Sequence, residues 1–229
     1  MLLLNNTLTG SINCKDITFF RKTILTWFNK NKREYPWRET LDPFKVLIAE
    51  MMLRRTNAEQ VRPVYEQLFT EYPDIHYFVE ADIKSIELIL HPLGLKQRAV
   101  NFIHVAREIT EHYGGKTPNT REELKNLHGV GDYIAGAVLS LAYKKREWMV
   151  DSNVIRLFKR YFGIKVSRQS HEHKQIIELA KLYVSTKNSR KANLAMLDFS
   201  ALVCKPRNPQ CDICSLRERC YYVRFEQMG

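Results

Sequence analysis

Apolar residues recur along this chain at spacings of three and four. In FFRKTILTWF (19–28), Phe20, Ile24, Trp27 and Phe28 fall on one helical face, with polar residues opposite. FKVLIAEMML (44–53) is so apolar that it predicts a buried helix. AVNFIHVAREITEHYGG places Ala99, Phe102, Ile103, Ala106 and Ile109 at helical spacing and stops at Gly114-Gly115. TREELKNL opens with Thr120 and Glu123 at capping-box spacing. KANLAMLDFSALVC predicts another buried helix, running into Cys204. No stretch alternates with period two for long enough to predict a strand. The expectation is an all-α fold. No internal repeat or low-complexity linker is found, so a second domain would pack closely.

Composition narrows the partners. The 229 residues leave room for two modest domains, and 45% hydrophobic content supports a real core. Lys and Arg total 36 against 25 Asp and Glu, a formal charge of +11. That excess favours a polyanion such as nucleic acid, because each neutralised phosphate releases condensed counterions. A merely cationic, soluble surface is the alternative. No long basic amphipathic helix and no apolar run near ~20 residues is present, so a membrane is not expected. The opening MLLLNNTLTG lacks the charged start of a signal peptide. A reducing compartment is expected, cytoplasmic (nucleoid-associated) or nuclear, where clustered cysteines point to metal rather than disulfides.

Four of the five cysteines, Cys204, Cys211, Cys214 and Cys220, follow the spacing C-x6-C-x2-C-x5-C. Four thiolates in one short loop bind either tetrahedral zinc or a 4Fe–4S cluster. One tight pair flanked by wider gaps suits a loop wrapped around the larger cluster. The fifth, Cys14, is expected to be an isolated buried thiol. Lys205, Arg207, Arg217 and Arg219 lie among the ligands, placed either to meet a phosphate backbone or to offset the thiolate charge.

LKNLHGVGDYIAGAVLSLA joins a capped helix to a small-residue helix through Leu127, His128, Gly129, Val130 and Gly131. Two glycines one residue apart permit positive φ and close backbone approach, and the next helix offers its first amides to an anion. That describes a helix-hairpin-helix gripping a DNA phosphate, although a plain tight turn has the same spelling. Downstream, MVDSNVIRLFKRYF places Asp151 at a helix start, where capping alone would account for it. Such a carboxylate sits in positive potential and stays ionised, as needed to stabilise a cationic sugar. Glu50, between Leu47, Ile48, Met51 and Met52, is costly to bury without a partner or a task. Its pKa is expected to rise, which suits an acid holding a leaving base; a structural ion pair is the other reading.

In order, LIAEMMLRRT, LHGVGDYIAGAV, VDSNVIRL and the cysteine spacing resemble the helix-hairpin-helix DNA glycosylases of the endonuclease III superfamily. The resemblance covers roughly residues 20–220. It implies two helical domains with a cleft between them: a six-helix domain at 41–146, and a cluster domain of 1–40 and 147–229 with the 4Fe–4S loop 204–220. It implies Asp151 as catalytic aspartate, Leu95 as a wedge into the stack, Arg54 and Arg55 on the orphaned strand, and an extruded base. Bifunctional relatives carry lysine where this chain has Tyr133. A phenol forms no Schiff base, so base release without strand cleavage is expected.

Glutamate at Glu50 is common to adenine and thymine mismatch glycosylases. Adenine enzymes usually have a further C-terminal domain, paired glutamines at Arg54-Arg55 and serine at Tyr133, whereas this sequence ends at Gly229. LRRT, GDYIAGAV, MVDSNV and MLDFSALVC look closer to the G/T mismatch enzymes. The expectation is a monomer acting on double-stranded DNA, removing thymine or uracil opposite guanine. The alternatives are an adenine glycosylase, a non-catalytic iron–sulfur damage sensor on DNA, and a zinc-bearing nucleic-acid protein.

Overall fold

The computed structural model describes residues 12–164 and 170–226. The opening MLLLNNTLTG lies outside the described residues. In chain order the helices are α1 (Cys14–Asn31), α2 (Pro36–Glu39), α3 (Pro43–Met52), α4 (Ala58–Glu71), α5 (Ile75–Glu80) and α6 (Ile83–Leu90). They continue as α7 (Ala99–Tyr113), α8 (Arg121–Asn126), α9 (Asp132–Leu141), α10 (Ser152–Phe162), α11 (Ser170–Val184) and α12 (Ser189–Leu202). No strand occurs among the described residues, so the protein is all-α. None of these helices is long and apolar enough to cross a membrane.

The chain divides into two compact units, one of Glu34–Lys145 and one of Met1–Arg33 with Arg146–Gly229. The first holds α2 to α9. Its beginning is fixed by Tyr35 and Trp37, whose rings stack at 4.7 Å and 6° and bury against Tyr65 and Arg62. Helix α3 starts on Pro43 with Asp42 as its N-cap, and every residue from Val46 to Met52 is buried. It packs against α2, α4 and α9. Helix α7 buries the predicted face, Ala99, Phe102, Ile103, Ala106 and Ile109, and ends on left-handed Gly114. The capping box at α8 is half formed. Thr120 accepts the Glu123 amide, but Glu123 Oε2 takes the threonine hydroxyl proton at 2.7 Å.

In the second unit α12 is the hub, packing on α1, α10 and α11. A full capping box between Asn13 and Asp16 starts α1, whose Ile17, Phe20, Ile24 and Phe28 are buried. Phe20 sits among Phe158, Tyr161, Phe162 and Tyr183 at centroid distances of 4.6–5.9 Å. Fully buried Asp198 on α12 takes the Arg33 amide at 2.9 Å and the Arg33 Nε at 2.7 Å, so its charge is paired inside the core. Cys14 is exposed, not buried as its isolation suggested, because it opens the first turn of α1.

Helix α10 ends on Gly163, at φ +70, and a Cβ there would lie 2.6 Å from the Tyr221 ring. The segment after Cys220 therefore needs glycine both for the left-handed turn and for the space above it. Gly163→Ala is expected to destabilise the protein by about 2–4 kcal/mol, the left-handed and overpacking costs together. Thermal unfolding measures this, and an unchanged Tm would contradict the packing.

Candidate functional site

The loop between α8 and α9 is anchored from beneath by buried Leu127 and Val130, leaving His128, Gly129 and Gly131 exposed. The two glycines differ. Gly129 adopts φ +76 and needs glycine for that reason. Gly131 is the N-cap of α9 in ordinary extended backbone, with open space where a Cβ would stand. Only one of the pair is thus required by positive φ; the other leaves the start of α9 uncovered. The first amides of a helix have no partners within it and point outward, so an anion is attracted there.

Two residues expected at DNA, Leu95 and Arg54, make contacts within the protein. Leu95 is 5% exposed, so it presents no wedge on the surface. Left-handed Gly94 closes the short helical turn His91–Leu93, and the next residue turns inward. Arg54 donates from Nη1 to the Gly129 carbonyl at 3.4 Å, while Arg98 donates to the Arg54 carbonyl at 3.1 Å. Arg54 therefore braces the hairpin from α3's end. Arg55 is exposed, with a left-handed backbone at φ 64 that is unusual for a non-glycine residue.

Glu50 is 4% exposed, enclosed because α3 is buried nearly all round. Tyr133 is half-buried in the first turn of α9, the helix against which α3 packs. Asp151, in the other unit, is the N-cap of α10. Its Oδ1 accepts the Val154 amide at 2.8 Å and its Oδ2 accepts Asn153 Nδ2 at 2.7 Å. Arg156 Nη1 donates to Asn153 Oδ1 at 2.8 Å. The same guanidinium reaches the Cys204 carbonyl at 3.0 Å and the Ser200 carbonyl at 2.8 Å. The Val154 amide and the asparagine together fix the rotamer of this carboxylate. The sequence offers Asn153 only as a candidate helix cap beside Asp151 and Ser152, and Arg156 not at all; the i, i+3 spacing of the two after a capping aspartate was the available signal.

All four clustered cysteines line one cavity. No three His, Cys, Asp or Glu side chains converge on a single-ion site among the described residues. Sulfurs that ring a space rather than meet at a point suit a cluster better than one zinc ion. Burial pushes the Cys214 thiol up to about 11, and the neighbouring cysteines add to the rise. Burial likewise raises Cys211 and Cys220. These three thiols resist ionising together, and a cationic iron core removes that resistance. Cys204, Cys211, Cys214 and Cys220 would hold the cluster, which supplies a cross-link between four points of the loop.

The cations of this loop divide by task. Arg160, missed in the sequence, donates to the Lys205 carbonyl at 2.6 Å and the Pro206 carbonyl at 3.1 Å, and lies 3.6 Å from Cys204 Sγ. Arg217 pairs with Asp212 at 2.5 Å, and Arg219 stacks 3.9 Å over the Phe19 ring. Lys205 is half-buried and Arg207 exposed.

Residues 48–185 match the family described as HhH-GPD superfamily base excision DNA repair protein. The chain belongs to that superfamily. Residues 204–220 match the iron–sulfur binding domain of endonuclease III, so this member carries the iron–sulfur loop. The chain is 38% identical to the thymine/uracil-DNA glycosylase of Methanothermobacter thermautotrophicus, across 89% of this chain and 92% of that one. It is 31% identical to an adenine DNA glycosylase of Buchnera aphidicola, spanning 88% of this chain but 57% of the relative. Among solved structures, a thermostable thymine-DNA glycosylase superposes with a TM-score of 0.86 at 37% identity, over 92% of this chain and 97% of that one. Endonuclease III trapped covalently on DNA superposes at 0.80 with 25% identity, over 96% and 100%.

A Cys211→Ser variant of this HhH-GPD protein is expected to lose most of its bound iron and visible absorbance. Cys14→Ser, at an exposed thiol away from the cavity, should keep both. Iron assay per chain checks this, and full iron retention by Cys211→Ser would remove that ligand.

Proposed function

We propose that this protein is a DNA glycosylase that releases thymine or uracil paired with guanine and leaves an abasic site without cutting the strand. The observation that carries the chemistry is the Asp151 carboxylate, with both oxygens held at the start of α10. The choice of base is supported by the 38% identity to a thymine/uracil-DNA glycosylase along nearly the whole of both chains.

The hairpin Leu127–Gly131 and the exposed cations Lys205, Arg207 and Arg55 hold the phosphates of double-stranded DNA, while the mismatched base is extruded. Glu50 and Tyr133 hydrogen-bond the edge of that base. The bond from C1′ to N1 breaks heterolytically, and its electron pair leaves with the pyrimidine. Asp151 stabilises the resulting oxocarbenium ion and orients the water that adds to C1′; the proton this water loses balances the one taken up at N1 of the released pyrimidine. Tyr133 has no amine to attack the sugar, so no imine forms and the backbone stays intact. The Glu34–Lys145 unit acts as the hairpin domain, and the unit formed by both chain ends acts as the cluster domain. The enzyme works as a monomer in the cytoplasm or nucleus.

Buried Leu95 takes part only if the His91–Arg98 turn opens on DNA, so it is left out of this scheme. The adenine reading rests on lower identity, 31%. A panel of G·T, G·U, G·A and oxidised-G·A duplexes, each followed by alkaline cleavage, tests the proposal. Release is expected from G·T and G·U, with no strand breaks before alkali. Asp151→Asn should bind these duplexes but lose at least about 10²–10³ in rate, the range for removing one preorganised charge-stabilising group. Asn153→Ala should lose about tenfold or more, as expected for a hydrogen bond to a charged group. Release from the adenine duplexes alone would overturn the choice of base, and normal turnover by Asp151→Asn would overturn the mechanism.

A further inference from the structure

We infer that Glu108 is a positioning residue that clamps the hairpin in its DNA-ready shape; the inference rests on the proposed role of the hairpin as a phosphate grip. Helix α7 carries Asn101, His104 and Glu108 at i, i+3 and i+7, one stripe along its length. That stripe meets the residue just before Gly129. Glu108 Oε2 accepts the His128 backbone N–H at 2.8 Å. Its Oε1 lies 3.2 Å from His104 Nε2. Asn101 Oδ1 is 3.1 Å from His128 Nε2, and the two imidazoles lie 5.0 Å apart between centroids.

The electrostatics make this arrangement informative. A carboxylate beside an anion-binding loop repels the ligand, so charge alone argues against a glutamate there. A positional task accounts for it. The N–H of His128 is held by Glu108, while the carbonyl of Gly129 accepts from Arg54. The left-handed Gly129 between these two grips is thereby fixed before any DNA arrives. Preorganising the loop lowers the ordering cost on binding. The pairing of His104 with Glu108 offsets part of the repulsion whenever that imidazole is protonated.

A clamp of this kind acts on binding and not on bond cleavage. The test is single-turnover base release from a G·T duplex against enzyme concentration, which separates the half-saturating concentration from the maximal rate. Three variants distinguish a hydrogen bond from a charge. Glu108→Ala deletes the acceptor. Glu108→Asp keeps the charge but shortens the reach, and Glu108→Gln keeps an acceptor oxygen and loses the charge. Ala and Asp should raise the half-saturating concentration about tenfold, with maximal rates within about twofold, while Gln stays within about threefold. An Asp variant that binds like wild type would overturn the clamp. So would a Gln variant as impaired as Ala, or a maximal rate that falls in step with affinity. Wild-type protein that fails to bind any duplex would instead overturn the function on which the clamp rests.

Discussion

A carboxylate meant to face a developing positive charge must keep its own charge and keep its direction. The direction of Asp151 is held through both oxygens: one takes the Val154 amide at the start of α10, and the other takes Asn153. The first turn of α10 aims a backbone donor at the carboxylate, so the group that caps the helix is held in one orientation. In the proposed mechanism, capping and catalysis do not compete for this residue: the same two hydrogen bonds would serve both, with the helix as the scaffold that fixes the aim.

That aim is tied to the cysteine loop through one side chain. Arg156 grips Asn153 with one nitrogen and the carbonyls of Cys204 and Ser200 with the others. Arg160, one turn later, holds the carbonyls of Lys205 and Pro206. Helix α10 therefore presents the aspartate at its first turn and carries the entry to the iron–sulfur loop on its flank. The loop is short and made mostly of irregular backbone, so it has little apolar surface of its own to bury. A cross-link through four thiolates fixes it where packing cannot.

The parts of this arrangement visible in the sequence are those with a local cause. The apolar face of α7 and the all-round burial of α3 follow from spacing and composition, and Asp151 follows from cap chemistry. Glu50 was legible because a carboxylate stands out among aliphatic neighbours. What escaped were contacts made by the fold. Leu95 is read as a wedge into the stack, yet after left-handed Gly94 it lies buried in the core. Arg217 and Arg219 read either as phosphate contacts or as a balance to the thiolate charge, and in the structure Asp212 and Phe19 engage them. Arg54 braces a loop 75 residues away, and Glu108 one 20 residues away, and no periodicity links those positions. Gly131 was credited with a backbone freedom that only Gly129 uses.

The claim beneath all of this is that the base departs before water attacks, leaving a cationic sugar that the fixed carboxylate steadies. The isotope effect of deuterium at C1′ on single-turnover thymine release reads that claim directly. A normal effect, with the heavier sugar reacting more slowly, is predicted, because the C1′–H bending motions loosen as the carbon becomes planar. An effect at or below unity would mean that water bonds to C1′ as the base leaves, and would contradict the role given to Asp151.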